Sequence, residues 1–503
     1  MRLAQGAPLG GVLDVTDPGD WLALDAGVRE VPWYGAQLLP QWEQSAPLPG
    51  DLAGLGASRL ALALCHRDGR VREEAVGFSA RCPGLLPLVV IRCTDWAGPV
   101  RERARTVLRE VLDAESAAGL APVVLRVGRR ERGAFGIEVL AEVLRRAPRE
   151  RLAALLCCPD RAVRRFTYRL AVDGRLLRPA ELARAAARDE DNVVQDLCAT
   201  AALAALPGQE AYEEVLVPLL SARNPRARSA GVTALRRAGR PGQAVAFLGD
   251  RSALVRACAR YVVRQDGGDP VAWYRQRCAA PDEPGLPAGA VIGLAECGQR
   301  ADARLLWPLL AHPAAGVRAR AVAGLRVLDC VRVERLLPLL DDPAAGVVRE
   351  CALALLPSAA DLPAGRLLER TGRTWPRHVR LAALRLLVAG GGVVALRAAV
   401  ALLEDPDVKL RRWAGQCVQR WRPSVGERHC AQEVGELLDR CRHLFSDHVL
   451  LRRRWEAGAP SGGGERLSQC AQVPGRGRGA GSRASVRSGF AVRCQVSDLE
   501  LSV

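Results

Sequence analysis

The sequence has no long hydrophobic run of the kind that marks a membrane or secreted protein. No stretch reaches the roughly 18 consecutive apolar residues of a membrane-spanning helix. Residues 1–21 contain no apolar run either, and acidic side chains stand where a signal peptide has its basic segment. These absences argue against membrane association and predict a cytoplasmic protein.

Lysine, methionine, asparagine and isoleucine are also scarce. The chain has a single lysine, Lys409, and a single methionine among 503 residues. These residue types have AT-rich codons, so their joint depletion indicates a GC-rich genome in which arginine is the general surface cation. The net charge of +17, from 72 basic and 55 acidic residues, is therefore weakened as evidence for a nucleic-acid partner.

Motifs of the common catalytic, cofactor and metal sites are missing. The six histidines form no serine–histidine–aspartate grouping, and the glycines at 390–392 lack the Lys-Ser/Thr of a phosphate-binding loop. Five metal-capable residues cluster near the end of the repeats: His429, Cys430, Cys441, His443 and His448. Apart from the two last histidines, their spacing is not that of a zinc site. We therefore favour a protein without enzymatic activity, cofactor or metal ion.

The sequence does contain a repeat with a period of about 31 residues. An apolar residue followed by arginine, with a small residue four places after the apolar one, recurs at Val317, Val348, Val379 and Leu410, at intervals of 31. Fainter copies extend this phase back to Val71, for about twelve repeats in all. A fixed period of this size is typical of stacked helical hairpins.

One unit illustrates the predicted hairpin. Residues 333–340 form an apolar helical segment, and 341–346, with the sequence DDPAAG, have the composition of a turn. Residues 347–356 then place their apolar side chains on one helical face. A single hairpin buries too little apolar surface to be stable, so we expect each to stack on its neighbours.

This unit, an apolar helix, an Asp-Pro loop and then Val-Arg-x-x-Ala, resembles the HEAT repeat in the short variety of phycobilisome-lyase-type proteins. The resemblance covers about residues 60–420. It implies an all-α fold, a right-handed α-solenoid of about twelve hairpins of the HEAT/armadillo kind, which mostly binds proteins. Some relatives act on bilin chromophores and a similar fold serves some alkylated-base DNA glycosylases, but neither activity carries over, because no motif beyond the repeat itself matches.

Sixteen cysteines are scattered along the chain without a Cys-x-x-Cys pair. Several fall in second helices beside or in place of the small residues of the repeat: Cys198, Cys258, Cys351 and Cys417. A free cysteine packs there as a small hydrophobe. We therefore expect reduced thiols rather than a disulfide framework.

The two ends lie outside the repeat. Residues 1–60 contain Trp21, Trp33, Tyr34 and Trp42, and are expected to fold over the first hairpin as a cap. The alternative is a recognition segment for a partner that tolerates acidic charge.

The carboxy-terminal part changes composition twice. Residues 421–455 are predicted to form one or two closing helices. Residues 456–503 are rich in glycine, serine and arginine and are predicted to be disordered. The predicted division is thus a cap segment over 1–60, the repeats over 61–420, the closing helices over 421–455 and the tail over 456–503.

The repeated arginine is the strongest polar pattern. It lies near the start of each second helix, where a cation opposes the helix dipole, so a nearby acid is expected to compensate. Acids stand four to seven places before many of these arginines, and we favour an Asp–Arg ladder between neighbouring loops. The alternative is a row of guanidinium groups that binds phosphates or an acidic peptide. Its candidates are Arg318, Arg349, Arg380 and Arg411.

The preferred interpretation is a non-enzymatic scaffold or adaptor that binds a protein or peptide along the solenoid surface. One alternative is a nucleic-acid-binding HEAT-like protein, including one related to DNA repair, and it depends on the basic part at 301–455. Another is a lyase-type HEAT protein. Both alternatives depend largely on family analogy, and the partner and the oligomeric state stay open.

Overall fold

The structure, a computed structural model, describes residues 1–30, 40–205, 212–423 and 430–459. Within these ranges the backbone forms α-helices, short 3-10 helices and loops, with no β-strand. The chain divides into two units, Met1–Pro357 and Ser358–Val503. None of the helices in the described ranges combines the length and the apolar character needed to cross a bilayer.

The amino-terminal segment folds against the first hairpins of the first unit. It contains a 3-10 helix, Leu9–Gly11, and two α-helices, α1 (Pro18–Gly27) and α2 (Gln41–Ser45). Trp21 and Trp42 are buried in the same apolar cluster as the first hairpins. Its role as a cap remains a prediction, and Trp33 and Tyr34 lie outside the described residues.

Helical hairpins follow along the first unit, each with a first and a second helix. The earlier hairpins pair α3 (Ala57–Leu64) with α4 (Gly69–Ser79), α5 (Leu86–Arg92) with α6 (Gly98–Val111), α7 (Ala114–Val127) with α8 (Ala134–Arg146), α9 (Arg149–Leu156) with α10 (Arg161–Asp173), and α11 (Pro179–Arg188) with α12 (Asn192–Ala204).

In the later hairpins of the first unit, two of the first helices shorten to four residues each and one is a 3-10 helix. These hairpins pair α13 (Tyr212–Leu220) with α14 (Pro225–Ala234), a 3-10 helix (Pro241–Phe247) with α15 (Ala253–Gln265), α16 (Pro270–Cys278) with α17 (Ala288–Cys297), α18 (Ala303–Leu306) with α19 (Ala315–Val327), and α20 (Val333–Leu336) with α21 (Ala345–Leu355). Three further 3-10 helices flank α18 and α20: Arg300–Asp302, Pro308–Ala311 and Leu337–Asp341.

The second unit contains the remaining α-helices. They are α22 (Ala364–Glu369), α23 (Arg377–Gly390), α24 (Gly392–Ala401), α25 (Val408–Arg420), α26 (Ala431–Arg440) and α27 (Asp447–Glu456). Short 3-10 helices follow α24, at Leu402–Glu404, and α26, at Arg442–Leu444. From residue 460 onward, the predicted disordered tail lies outside the described residues.

Second helices of the first unit stack on one another in sequence order. Contacts run from α4 to α6, through α10, α12, α14 and α15, and through α17, α19 and α21. First helices also touch, as in α5 with α7 and α11 with α13. The all-α solenoid of helical hairpins that the period predicts is thereby confirmed.

Acidic side chains determine where several second helices begin. Asp68, Asp160 and Asp191 each accept a hydrogen bond from a backbone N–H in the first turn of α4, α10 and α12. Each such cap satisfies a donor that the helix itself leaves open and stabilises the helix by about 1 kcal/mol.

Close contacts between helices explain some of the small residues. A Cβ atom at Gly293 in α17 would lie only 2.5 Å from the ring of Tyr274 in α16, so a larger residue would push the two helices apart. Gly391 has a φ of 75° between α23 and α24, in the left-handed region that favours glycine. The glycines at 390–392 therefore form the interhelix turn that their sequence suggests.

Cysteines in the described ranges are free thiols. Burial raises the pKa of both Cys198 and Cys351 to about 12. These thiols stay protonated at neutral pH and act as small apolar side chains between helices.

Candidate functional site

The repeated arginine occupies the fourth residue of most second helices. Arg72 of α4 is the clearest case, because its side chain is almost fully buried. One guanidinium nitrogen donates to the carbonyls of His66 and Arg67 in its own loop, at 2.8 and 2.9 Å. The other two donors reach both carboxylate oxygens of Asp95 in the next hairpin, at 2.9 and 2.8 Å. One side chain thus joins two successive loops.

The same arrangement recurs as a ladder, in which each arginine–acid pair is a rung. The further rungs are Arg164–Asp189, Arg228–Asp250, Arg256–Glu296, Arg318–Asp342 and Arg380–Asp405. In all of them except Arg256–Glu296, the acid lies in the loop of the following hairpin; Glu296 lies in the helix α17. Neighbouring loops are therefore linked by bonds between ionised groups, which are stronger than neutral hydrogen bonds.

Each loop aspartate of the ladder also orders its own loop. Asp95 accepts from the backbone N–H of Ala97 at 3.0 Å, and Asp250 accepts from Ser252 at 2.7 Å. Burial alone would raise the pKa of Asp95 and of Asp250, but hydrogen bonds from the paired arginine and from these N–H groups outweigh it and lower both pKa values. The carboxylates are consequently ionised at neutral pH.

Arg318 and Arg380, two of the four sequence-derived binding candidates, are rungs of this ladder. Arg318 makes two bonds of 2.8 Å to Asp342 and two of 2.9 Å to the carbonyls of His312 and Pro313. Arg380 is buried and ion-pairs with Asp405. Both guanidinium groups are held by partners within the fold, so a ligand would have to displace those partners first.

Arg411 follows half of the same pattern. It donates to the carbonyls of Asp405 and Pro406 in its own loop, at 2.5 and 3.1 Å. No carboxylate of the described residues pairs with it, and residues 424–429 of the following loop lie outside those ranges.

Arg349 is displaced by one residue from the ladder. The sequence motif spaces Val317, Val348 and Val379 at 31, but helices α19, α21 and α23 begin at intervals of 30 and 32. The fourth residue of α21 is therefore Val348, and Arg349 is the fifth, turned by about 100° around the helix. Its side chain is 67% exposed and ion-pairs with Glu350 at 3.1 Å. The period predicts that Arg349 occupies the same position as Arg318, and this prediction is wrong by one residue.

The predicted metal-capable cluster does not form a site in the described part of the chain. No group of three or more histidine, cysteine or acidic side chains is placed there to hold a metal ion. His429 lies outside the described residues.

An exposed apolar stripe on α15 is a feature that the sequence reasoning missed. Leu254 is 48% exposed and Tyr261 is 53% exposed. Ala257 is exposed and Cys258 is half-buried between them. The four residues follow the i, i+3, i+4, i+7 spacing of one helical face. That spacing is visible in the sequence LVRACARY, but sequence alone does not show which face is buried.

Equivalent positions on neighbouring helices extend this stripe into a surface, which we call the second-helix face. It consists of the second, fifth and ninth residues of three stacked helices: Val193, Asp196 and Thr200 of α12, Arg226, Ser229 and Thr233 of α14, and Leu254, Ala257 and Tyr261 of α15. All of them except Ser229 are exposed. The three helices pack in this order, so the positions form a continuous surface.

A shallow cavity of about 310 Å³ lies on this face between α12 and α14. Small side chains, including Ala199, Ala230 and Ala234, line it. Arg226 of α14 ion-pairs with Asp196 of α12 across it. The face thus combines the exposed Tyr261 ring on α15 with an adjacent shallow cavity. The charges of Arg226 and Asp196 on this face cancel each other.

Comparison with known proteins adds little to this geometry. No protein-family model matches the chain, and no curated protein matches it significantly. An engineered protein of known structure is similar with a TM-score of 0.20 and 18% identity, over 72% of this chain and 97% of that one. The karyopherin Kap121p has a TM-score of 0.32 and 13% identity, over 79% of this chain.

The chain spans about half the length of Kap121p, 52% of it. A structure of Kap121p bound to Pho4p is similar at the same level, with a TM-score of 0.32 and 13% identity. TM-scores below 0.5 do not establish a shared fold, so the architecture is defined by the helices and contacts described above.

Proposed function

We propose that this protein is a non-enzymatic scaffold that binds a partner protein through the second-helix face of α12, α14 and α15. The observation that carries the proposal is the exposed stripe of Leu254 and Tyr261. Contiguous exposed apolar side chains mark interaction surfaces, and tyrosine is among the residues that most often dominate binding energy.

The shape of the face favours an amphipathic segment of the partner. Apolar side chains of such a segment would cover Leu254 and Tyr261 and enter the hollow formed by Ala199, Ala230 and Ala234. At the far end of the helices, Arg237 and Arg264 make no ion pair within the described residues. Acidic groups on the rim of the partner segment would complement these two charges.

Nucleic-acid binding is not favoured by the same face. Arg226, the second residue of α14, is paired with Asp196, and Arg165, the fifth residue of the second helix α10, is paired with Asp191 at 2.7 Å. A track for a phosphate backbone needs a continuous run of cations without such partners, whereas Arg237 and Arg264, unpaired within the described residues, both lie at one end of the helices. The protonated, buried thiols suit a scaffold that works in the reducing cytoplasm.

Comparative capture from cell extract tests the proposal. The full-length chain, the double variant L254S/Y261S and the control V217S are immobilised, and nuclease-treated extract from the source cells is passed over each. Val217 is a suitable control because it is 58% exposed on α13, a first helix. Circular dichroism verifies that all three proteins keep the same helix content.

Proteins that wild type and V217S retain, but L254S/Y261S loses, are then purified and titrated. We expect the double variant to weaken binding about tenfold or more, because covering two such side chains contributes several kcal/mol. Equal binding by all three proteins would refute the proposed face. Binding that disappears on nuclease treatment would replace it with a nucleic-acid function.

A further inference from the structure

A second surface lies between first helices of the first unit, and we call it the arginine groove. It is a cavity of about 720 Å³ lined by ten residues from two segments, 300–308 and 329–335. Four exposed arginines surround it: Arg300, Arg304, Arg332 and Arg335. The half-buried indole of Trp307 forms part of its wall.

The charges of this groove are poorly compensated. Arg300 contacts the Asp329 carboxylate at 3.7 Å and donates a hydrogen bond to the Asp329 backbone carbonyl at 2.8 Å. Both side chains are strongly exposed, at 73% and 94%, so the attraction between their charges is weak. Arg304, Arg332 and Arg335 have no carboxylate partner within the described residues. Counting only the side chains that line the cavity, the four arginines and Asp329 give a net charge of about +3. Asp302 and Glu334 belong to the same two segments but do not line the cavity.

Trp307 holds two of these cations in place. The guanidinium carbons of Arg332 and Arg335 lie 5.6 and 5.2 Å from the centre of its ring. Such cation–π contacts restrict flexible side chains without using their N–H donors. The donors therefore remain free to bind oxygen atoms of a ligand, and less side-chain entropy is lost on binding.

We propose that the arginine groove binds a short acidic peptide segment of a partner protein, with at least two Asp or Glu carboxylates. Arginine pairs with carboxylates through two parallel hydrogen bonds, and the volume of the groove accommodates several side chains. A peptide is favoured over single-stranded nucleic acid because the Trp307 ring is already covered by arginines and offers no stacking platform for a base. The proposal adds a surface on the first helices, separate from the second-helix face.

Fluorescence anisotropy with full-length protein tests this assignment. The probe is a labelled peptide of alternating glutamate and serine, and the comparison probes are its glutamine counterpart and a labelled single-stranded oligonucleotide, all at physiological salt. The test variant is R332Q/R335Q. Its matched control is R129Q/R132Q, which removes the same charge at the same spacing from two exposed arginines outside the groove.

We expect R332Q/R335Q to weaken binding of the acidic peptide about tenfold or more, and R129Q/R132Q to leave it nearly unchanged. R332K/R335K keeps the charge but loses the planar donor fork, so an intermediate loss is expected. L254S/Y261S is expected to bind the acidic peptide like wild type. The result of this test therefore does not depend on whether the second-helix face binds a partner.

Several results would overturn the assignment. Equal losses in R332Q/R335Q and R129Q/R132Q would show a nonspecific charge effect. Equal binding of the glutamine peptide would show that carboxylates are not recognised. Tighter binding of the oligonucleotide, lost in R332Q/R335Q, would reassign the groove to nucleic acid. The absence of acidic-peptide binding by wild type would refute the proposal outright.

Discussion

The ladder and the arginine groove use the same residue in opposite ways. In the ladder, Arg72 is buried, and its donors go to two loop carbonyls and to Asp95. In the groove, Arg332 and Arg335 are exposed and rest on Trp307 with their donors unoccupied by carboxylates. An arginine count, or a net charge of +17, therefore says little about binding until each guanidinium group has been assigned its partner.

The largest expected loss of stability comes from replacing Arg72. Arg72→Ala removes a buried cation and leaves Asp95 with Arg92 as its remaining buried ion-pair partner. We expect a loss of about 3 kcal/mol in the stability of the first hairpins, at the lower end for a broken buried pair, because Arg92 still compensates part of the Asp95 charge. Hydrogen exchange of the amides in α3 to α6 measures this locally, which avoids treating a long solenoid as a two-state system.

Arg332→Ala is the matched change in the groove. It is expected to alter hydrogen exchange of the neighbouring amides very little, by less than about 0.5 kcal/mol, because no buried partner is left behind. Similar effects of the two substitutions would show that the contrast between ladder and groove does not hold.

A double-mutant cycle on Arg228 and Asp250 sharpens the comparison at a middle rung. Their two hydrogen bonds measure 2.9 and 2.8 Å, and both side chains are largely buried. We expect Arg228→Ala and Asp250→Ala to be coupled by about 1.5–3 kcal/mol in unfolding measurements. A coupling near zero would mean that the loops are held by packing and that the rung is incidental.

The sequence predicts the ladder and the hairpins better than it predicts the binding surfaces. Val-Arg-x-x-Ala, with an acid a few places before it, recurs often enough to reveal both the helices and the need for compensation. It predicts pairing between neighbouring loops, but it does not reveal that the acid comes from the following rather than the preceding hairpin, as Asp95 does for Arg72, because that depends on how hairpins stack.

Two surface features could not be predicted from the sequence, for a similar reason. Leu254 and Tyr261 have the spacing of a core-facing helix stripe, and only the packing of α14 against α15 shows that this face is exposed. Trp307 and its arginines are about 25 residues apart in the chain and become neighbours only through the stacking of first helices.

Acid should weaken the ladder at a predictable pH. The folded pKa values of Asp95 and Asp250 are lowered, so their contribution to stability is fully present above the unfolded value of about 3.9 and is lost as the pH falls through the folded value. We expect the urea midpoint to fall steeply below about pH 4. In Arg228→Ala, whose Asp250 has lost its partner, part of this dependence should disappear; an unchanged pH profile would contradict the assignment.

A small effect on stability is also expected for Arg349. If Arg349 were the equivalent of Arg318, its removal would leave a buried carboxylate without its cation and cost about 1–3 kcal/mol. The structure instead places it one residue further on, exposed and beside Glu350, so Arg349→Ala should change the melting temperature by less than Arg318→Ala does. As the fifth residue of α21, Arg349 occupies the position that Ala257 occupies on the second-helix face.

Loss of partner binding in Arg349→Ala, with an unchanged melting temperature, would show that this face extends toward α21. A melting temperature lowered as much as in Arg318→Ala would restore Arg349 to the ladder and remove the one-residue shift on which this distinction depends.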